Sequence, residues 1–228
     1  MTGRLVASVL ATVFVCLSQA APAQAINGGS DPDAALQGEP TAEVARMDAT
    51  LRATVSCVFK REPSRVRAML KTAPGSKQEA NRLSSFEPAL YRCNESLQKI
   101  DFSQSLLRGV FAETAYHDEF PNGFETETPW PADKAFAWSE PRLRQGGDQQ
   151  LELLHSAARC LVAARPVAIR DLLASEPLSE TEREAMRTLE EPLGPCLFKG
   201  IRVTASRQSL RGLLAEAALE YGKGSSPS

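Results

Sequence analysis

Histidines, aromatic residues and recognisable catalytic motifs are scarce in this chain of 228 residues. Its only histidines are His117 and His155, which leave little material for a metal centre or a Cys/His nucleophile. The patterns H-E-x-x-H, C-x-x-C, G-x-G-x-x-G and G-x-S-x-G and the P-loop are all absent from the sequence. The sequence therefore predicts no metal and no cofactor, and it assigns no catalytic residue.

An excess of charge of one sign is also lacking. The chain has 26 Lys and Arg against 28 Asp and Glu, a formal net charge of −2. Nucleic-acid-binding domains and polybasic membrane patches require clustered positive charge. We therefore predict no nucleic-acid partner.

No apolar run is long enough to cross a bilayer. The longest, residues 5–17, follows the single charge Arg4 and precedes the small-residue segment Ala21-Pro22-Ala23-Gln24-Ala25. This order is typical of a secretory signal peptide over residues 1–25, with cleavage after Ala25. It predicts a periplasmic or secreted protein without a transmembrane span, and Cys16 is lost with the signal.

Four cysteines remain, and an even count behind a signal peptide indicates a disulfide framework. Cys57 and Cys93 are 36 positions apart, as are Cys160 and Cys196. The most economical pairing joins each equally spaced pair. A bond between the two pairs, such as Cys57–Cys160, is the alternative.

The equal spacing belongs to a longer internal similarity. Residues 57–116 and 160–219 align without a gap at an offset of 103, with 17 identities in 60 positions. Chance would give roughly 4. Internal similarity at a fixed offset predicts a tandem duplication of one structural unit, over residues 41–117 and 148–221.

The two units have the patterns of helices. Apolar residues recur at spacings of three and four from Thr41 and from Asp148 onward, as in amphipathic helices. Both units then carry a proline at an expected helix start, an S-x-x-E capping box, a proline expected to end the capped helix, and a serine before a last helix. These pairs are Pro63 and Pro166, Ser76/Glu79 and Ser179/Glu182, Pro88 and Pro192, and Ser103 and Ser206. We predict an all-α fold of two disulfide-stapled units with about four helices each.

Three segments lie outside the units. Residues 26–40 and 222–228 have the composition of a flexible lead and a disordered tail. The connector, residues 118–147, is rich in Pro and Gly, yet it holds five large aromatic residues: Phe120, Phe124, Trp130, Phe136 and Trp138. Aromatic rings favour burial, so we expect the connector to pack on the helices. It serves either as a strap over the core or as a surface that binds a partner.

Besides cysteines, capping residues and apolar residues, the two units share identical charged residues at corresponding positions. They form the pairs Arg67/Arg170, Glu87/Glu190, Arg108/Arg211 and Glu113/Glu216. One interpretation is structural ion pairs, in which Arg108 reaches Glu87 or carbonyl groups at a helix C-terminus. The other is an anion site formed by the four arginines. The candidate binding residues are the four arginines with Glu113, Glu216, Trp130 and Trp138.

The function hypothesis that follows is an exported binding or structural module of the bacterial cell envelope, with a protein or small ligand as its partner. The alternatives are a periplasmic enzyme that uses carboxylates in the cleft between the units, and a periplasmic inhibitor or immunity-type protein. The enzyme requires two acids in one pocket whose pKa values are pushed apart. The sequence does not indicate an oligomeric state.

Overall fold

The computed structural model describes residues 40–95, 103–124, 129, 135, 137, 139, 146–189, 194–196 and 206–223. These residues form α-helices and connecting turns, without a strand, so the predicted all-α class is confirmed for this part of the chain. Several predictions fall outside it, namely those for residues 1–39, Trp130, Phe136, Trp138, Glu190, Pro192 and 224–228.

The first half of the described chain contains five helices. They are α1 (Ala42–Arg61), α2 (Pro63–Leu70), α3 (Lys77–Ser84), α4 (Glu87–Cys93) and α5 (Gln104–Glu119). Thr41, Ser76 and Ser103 cap α1, α3 and α5 with their side-chain oxygens. The caps therefore set these helix starts, as predicted.

Helix α4 was not predicted as a separate element. Pro88 was expected to end the capped helix, but α3 already stops at Ser84 and Pro88 lies in the first turn of α4. Proline is tolerated there because first-turn N–H groups have no partner within the helix. The first half thus has five helices, not four.

The second half contains four helices whose full bounds are described, and residues 194–196 are helical as well. The four are α6 (Gln149–Ala164), α7 (Pro166–Ala174), α8 (Glu180–Arg187) and α9 (Arg207–Gly222). Asp148, Ser179 and Ser206 provide the caps. Helices α7, α8 and α9 begin 103 residues after α2, α3 and α5, respectively. Helix α6 begins four residues later than the same offset from α1 would place it.

Disulfides close each half. Cys57 bonds Cys93 and Cys160 bonds Cys196, which is the pairing expected from the equal spacing. In the first bond, Cys57 lies in α1 and Cys93 is the last residue of α4. The bond therefore ties α1 to α4.

Helices α5 and α9 form the most extensive helix contact, at the centre of the described fold. They meet at two glycines. A methyl group added to Gly109 would lie 2.9 Å from the Cα of Gly212, and one added to Gly212 would lie 2.5 Å from the Cα of Gly109. Because real Cβ atoms do not approach a backbone this closely, only glycine on both helices permits the crossing.

Beyond the crossing, each central helix contributes to the core of the other half. Tyr116 of α5 belongs to the apolar cluster of α6, α7 and α9, whereas Leu219 of α9 belongs to that of α1–α5. Phe120 contacts both clusters. Phe124 is buried with 2% of its surface exposed, beside Tyr116, Phe120 and Tyr221. The start of the connector therefore packs on the helices.

Among the described residues, no helix combines the length and the apolar character that a membrane crossing requires.

Candidate functional site

Arg108 of α5 is fully engaged within the core. Its Nε and Nη2 atoms donate to Oε2 and Oε1 of Glu216 on α9, at 2.8 and 2.6 Å. Its Nη1 atom donates to Oε1 of Glu79 at 3.1 Å, and Nη2 also reaches the carbonyl oxygens of Leu70 and Thr72. This planar, side-on pairing with a carboxylate is a strong form of the ion pair.

Arg211 of α9 makes most of these contacts in the opposite direction, although it binds the carboxylate of the other half through one hydrogen bond and also donates to the carbonyl oxygen of Leu172. Its Nε atom donates to Oε1 of Glu113 on α5 at 2.7 Å, and its Nη1 atom donates to Glu182 at 3.1 Å. Its Nη2 atom binds the carbonyl oxygens of Leu173 and Ser175. Apart from Leu172, each of these partners lies 103 positions from a partner of Arg108. Arg108 thus binds Glu79 of its own half and Glu216 of the other half. Arg211 likewise binds Glu182 of its own half and Glu113 of the other.

The capping glutamates have a different role from the one predicted. Glu79 and Glu182 were expected to bond back to the N–H of the capping serine. They instead accept from the residue before it, Gly75 or Leu178, with the oxygen that the arginine does not use. The N–H groups of the two serines already donate to carbonyl oxygens three residues back.

Glu113 and Glu216 are each bound by the arginine of the opposite half. The two halves differ in which further side chains contact these two glutamates. Arg52 of α1 donates to Oε2 of Glu113 at 2.5 Å, and Asp48 holds the same guanidinium at 2.5 Å. At the offset of 103, Arg52 corresponds to His155 and Asp48 to Leu151. The Nδ1 atom of His155 lies 3.8 Å from Oε1 of Glu216. A short imidazole thus occupies the place of a long guanidinium.

These contacts shift the ionisation of the buried groups. Burial acts to raise the pKa of Glu113, but His117 and the guanidinium groups of Arg211 and Arg52 outweigh it and lower this pKa to about 2. Burial acts to lower the pKa of Arg108, and Glu216 and Glu79 hold it above its ordinary value. Both groups are therefore charged at any physiological pH.

A cavity of about 500 Å³ lies beside Arg108, enclosed by α3, α5, α6 and α9. Four charged or titratable residues line it and are themselves buried: Glu79, Arg108, His155 and Glu216. Apolar side chains form much of the remaining wall, namely those of Pro74, Leu151, Leu154 and Leu213. Polar residues at the starts of α5 and α9 complete it: Gln104, Ser105, Ser206 and Ser209. Since Gln104, Ser105 and Ser206 are exposed, the cavity opens to solvent on this side.

Larger side chains stand at the corresponding positions around Arg211. Leu178, Arg207 and Leu106 correspond to Gly75, Gln104 and Ser209, in addition to the exchange of Arg52 for His155. Leu178 even keeps the left-handed backbone of Gly75, with φ of 62° against 70°. Gly75 itself leaves no room for a side chain, because an added Cβ would lie 2.4 Å from the Cβ of Asp148. The residues that line the cavity are thus smaller than their counterparts at several positions.

The candidate binding residues do not assemble into one site. Arg108, Arg211, Glu113 and Glu216 lie together in the buried networks. Arg67 instead pairs with Asp118 at the surface, and Arg170 contacts its neighbour Asp171. Glu87, one expected partner of Arg108, is exposed in the first turn of α4. The other expected partner, a carbonyl group at a helix C-terminus, is the one observed, because Arg108 donates to Leu70 at the end of α2. Trp130 and Trp138 lie outside the described residues.

Four buried glutamates near the helix crossing are tied to arginines. Glu79 and Glu216 both bind Arg108, and Glu113 and Glu182 both bind Arg211. Within the described part of the chain, no group of three or more His, Cys, Asp or Glu side chains could hold a metal ion.

One difference between the two halves in the sequence indicates the cavity. The offset of 103 exchanges an ion pair, Asp48 and Arg52, for Leu151 and His155. Loss of a charged pair from one half of an otherwise matching network indicates that the space is used differently there.

No family model matches the chain, and neither a curated protein nor a solved structure is significantly similar to it.

Proposed function

We propose that the protein is an exported, disulfide-stabilised helical module of the bacterial cell envelope that binds a small ligand in the cavity beside Arg108. The cavity carries this proposal. Its volume of about 500 Å³ falls within the range of small-molecule sites, roughly 300–1,000 Å³. Apolar walls around a few converging buried polar groups are also typical of such sites.

Export is supported by the signal-like residues 1–25 and by two disulfides, which persist in oxidising compartments. Expression with its own N-terminus in a Gram-negative host, followed by N-terminal sequencing of the periplasmic fraction, tests this part. We expect Ile26 as the first residue. Recovery of the unprocessed chain from the cytoplasm would contradict export.

We also infer that the two halves arose by tandem duplication of one helical unit. The inference is supported by the ungapped internal similarity, the two disulfides of equal span and the matching contacts of Arg108 and Arg211. On this view the first half keeps the ion pair of Asp48 and Arg52. The second half lost this ion pair, and Leu151 and His155 at the corresponding positions line the cavity.

Binding is tested by adding a library of soluble fragments to the isotopically labelled, oxidised protein and following its amide NMR signals. We expect a subset of fragments to shift the amides of residues 206–216 and of Leu151–His155. Ser209→Leu places the residue of the other half in the cavity wall and should abolish these shifts. Ser64→Leu, on the exposed face of α2, is the control and should leave them unchanged.

A purely structural module would give a different result. In that case fragments would either leave the spectrum unchanged or shift amides that Ser209→Leu does not affect. Either outcome would remove the cavity as the site of function.

A further inference from the structure

The charged groups that line the cavity are already bound to one another. All three guanidinium nitrogens of Arg108 donate, to Glu216, Glu79 and backbone carbonyl groups. Glu79 accepts from Arg108 with one oxygen and from the N–H of Gly75 with the other. Both oxygens of Glu216 accept from Arg108, and Glu216 and His155 each make further interactions. A charged ligand would therefore compete with an existing partner at each of these groups.

The buried networks of the two halves carry the same net charge. The network around Arg211 consists of three carboxylates and two guanidinium groups, which belong to Asp48, Glu113, Glu182, Arg52 and Arg211. The network at the cavity consists of two carboxylates and one guanidinium group, which belong to Glu79, Glu216 and Arg108. Each network thus has one negative charge in excess, and each has a histidine 3.8 Å from a glutamate, His117 or His155. Because every carboxylate in both networks contacts a guanidinium group, this excess does not select a cation at the cavity.

The difference between the halves is the polarity of one pair of side chains. At the offset of 103, Asp48 and Arg52 correspond to Leu151 and His155. The exchange removes one negative and one positive charge, and it places a leucine in the cavity wall. Three more apolar side chains extend this wall, namely those of Pro74, Leu154 and Leu213. The space beside the network is therefore suited to an apolar group.

Neutral hydrogen-bonding groups lie at the mouth of the cavity. Gln104 and Ser105 are exposed to solvent at the start of α5, and Ser206 is exposed at the start of α9. Ser209 lines the same side and is half-buried. A hydroxyl or amide group of a ligand can bond here while it stays in contact with water. Its desolvation therefore costs less at the mouth than inside the cavity.

Building on the proposed small-ligand site, on which this inference rests, we propose that the ligand is an uncharged and largely apolar small molecule. Its apolar body lies against Leu151, Leu154 and Leu213, and its hydroxyl or amide group bonds at the mouth. Moving a charged group from water into a cavity is costly unless a counter-charge and hydrogen bonds replace the water. The charged groups of the lining provide these only by giving up a partner. The cavity therefore favours a neutral ligand over a cation and over an anion.

NMR titration of the oxidised, isotopically labelled protein tests the proposal with three probes of nearly the same shape: benzamide, benzamidine and benzoate. Each carries a planar group on a phenyl ring, and at neutral pH this group is uncharged, positive or negative, respectively. We expect benzamide to bind at least roughly tenfold more tightly than either ion, with shifts at residues 206–216 and Leu151–His155. Equal or tighter binding of either ion would overturn the proposal.

Leu151→Asp adds a negative charge to the cavity wall and tests where the probe lies. Leu151 is half-buried in the first turn of α6, where a helix favours an acidic residue, so the variant should fold. We expect the preference for benzamide over benzamidine to fall at least roughly threefold. Leu151→Asn has nearly the same shape without the charge and should weaken all three probes alike. Val167→Asp adds the same charge at an exposed position of α7 and should change no affinity. An unchanged preference in folded Leu151→Asp would contradict the placement of the ligand against Leu151.

The polar contact at the mouth is tested by Gln104→Ala with Ser105→Ala. This double variant removes two side-chain hydrogen-bonding groups from the start of α5 and should weaken benzamide at least roughly threefold. An unchanged affinity would contradict the bond at the mouth.

The outcomes separate this proposal from the previous one. If fragments bind at the cavity but benzamidine or benzoate binds as tightly as benzamide, the small-ligand site remains and its preference for a neutral ligand is wrong. If no probe or fragment binds, or if all shifts persist in Ser209→Leu, both proposals fail.

Discussion

Gly109 and Gly212 lie against each other where α5 crosses α9, so closely that a methyl group on either would meet the backbone of the other. The crossing places Arg108 and Arg211, which precede the glycines, beside the glutamates of the opposite helix. The approach of two backbones therefore determines the position of both buried ion-pair networks and of the cavity beside one of them.

Gly109→Ala should destabilise the protein, although alanine favours a helix by about 1 kcal/mol over glycine. The added methyl group would lie 2.9 Å from the Cα of Gly212, and backbone cannot move aside as a flexible side chain can. Overpacking of this kind costs roughly 1–3 kcal/mol. Urea denaturation measures the loss. Gly194→Ala is the matched control, since nothing lies within 4 Å of its Cβ position; equal stability of the two variants would argue against the close crossing.

Arg108→Met should cost about 3–5 kcal/mol of unfolding free energy, because it leaves two carboxylates buried without their guanidinium. Arg67→Met removes an exposed ion pair with Asp118 and should cost at most about 1 kcal/mol. Thermal and chemical denaturation of both variants, under the same conditions, give the comparison. A loss at Arg108 no larger than that at Arg67 would contradict the buried network.

Removal of either disulfide should lower stability by a similar amount. Cys57 and Cys93 close a loop of the same span as Cys160 and Cys196. The chain-entropy model gives roughly 3–4 kcal/mol for a loop of this length. We expect the double alanine variants, Cys57→Ala with Cys93→Ala and Cys160→Ala with Cys196→Ala, to show comparable losses in guanidinium denaturation. A negligible loss in one variant would show that its bond does not constrain the unfolded chain.

Local signals in the sequence predict much of this fold. Thr41, Ser76, Ser103 and their counterparts begin helices because a side-chain oxygen satisfies N–H groups within the next three residues. Pro88 was predicted to end a helix and instead begins one, because proline occurs at both kinds of position. The choice depends on whether its missing N–H falls in a first turn.

The site was less accessible to prediction because its contacts are distant in sequence. Arg108 and Glu216 are 108 residues apart, and only the helix crossing brings them together. Glu87 is closer to Arg108 in sequence than Glu216 is, yet its side chain is exposed to solvent. Internal similarity identified Arg108 and Glu113 as important, but it did not show that each binds the opposite half.

Glu113 should make stability depend on acid pH in a defined direction. Its pKa is lowered from 4.5 to about 2 in the folded protein, so folding favours the charged form. The resulting stabilisation is fully present above pH 4.5 and is lost as pH falls through 2. This group alone accounts for about 3 kcal/mol. Urea denaturation between pH 2 and pH 7 should therefore show wild type converging on Glu113→Gln at acid pH, with the largest difference near neutrality.

Glu184→Gln is the control for this comparison, because it removes only an exposed ion pair with Arg187. It should follow the wild-type profile within about 1 kcal/mol at every pH. Other carboxylates titrate in both proteins, so the difference between wild type and each variant is the quantity to compare. A constant difference between wild type and Glu113→Gln from pH 2 to pH 7 would show that Glu113 is not held ionised by Arg52 and Arg211.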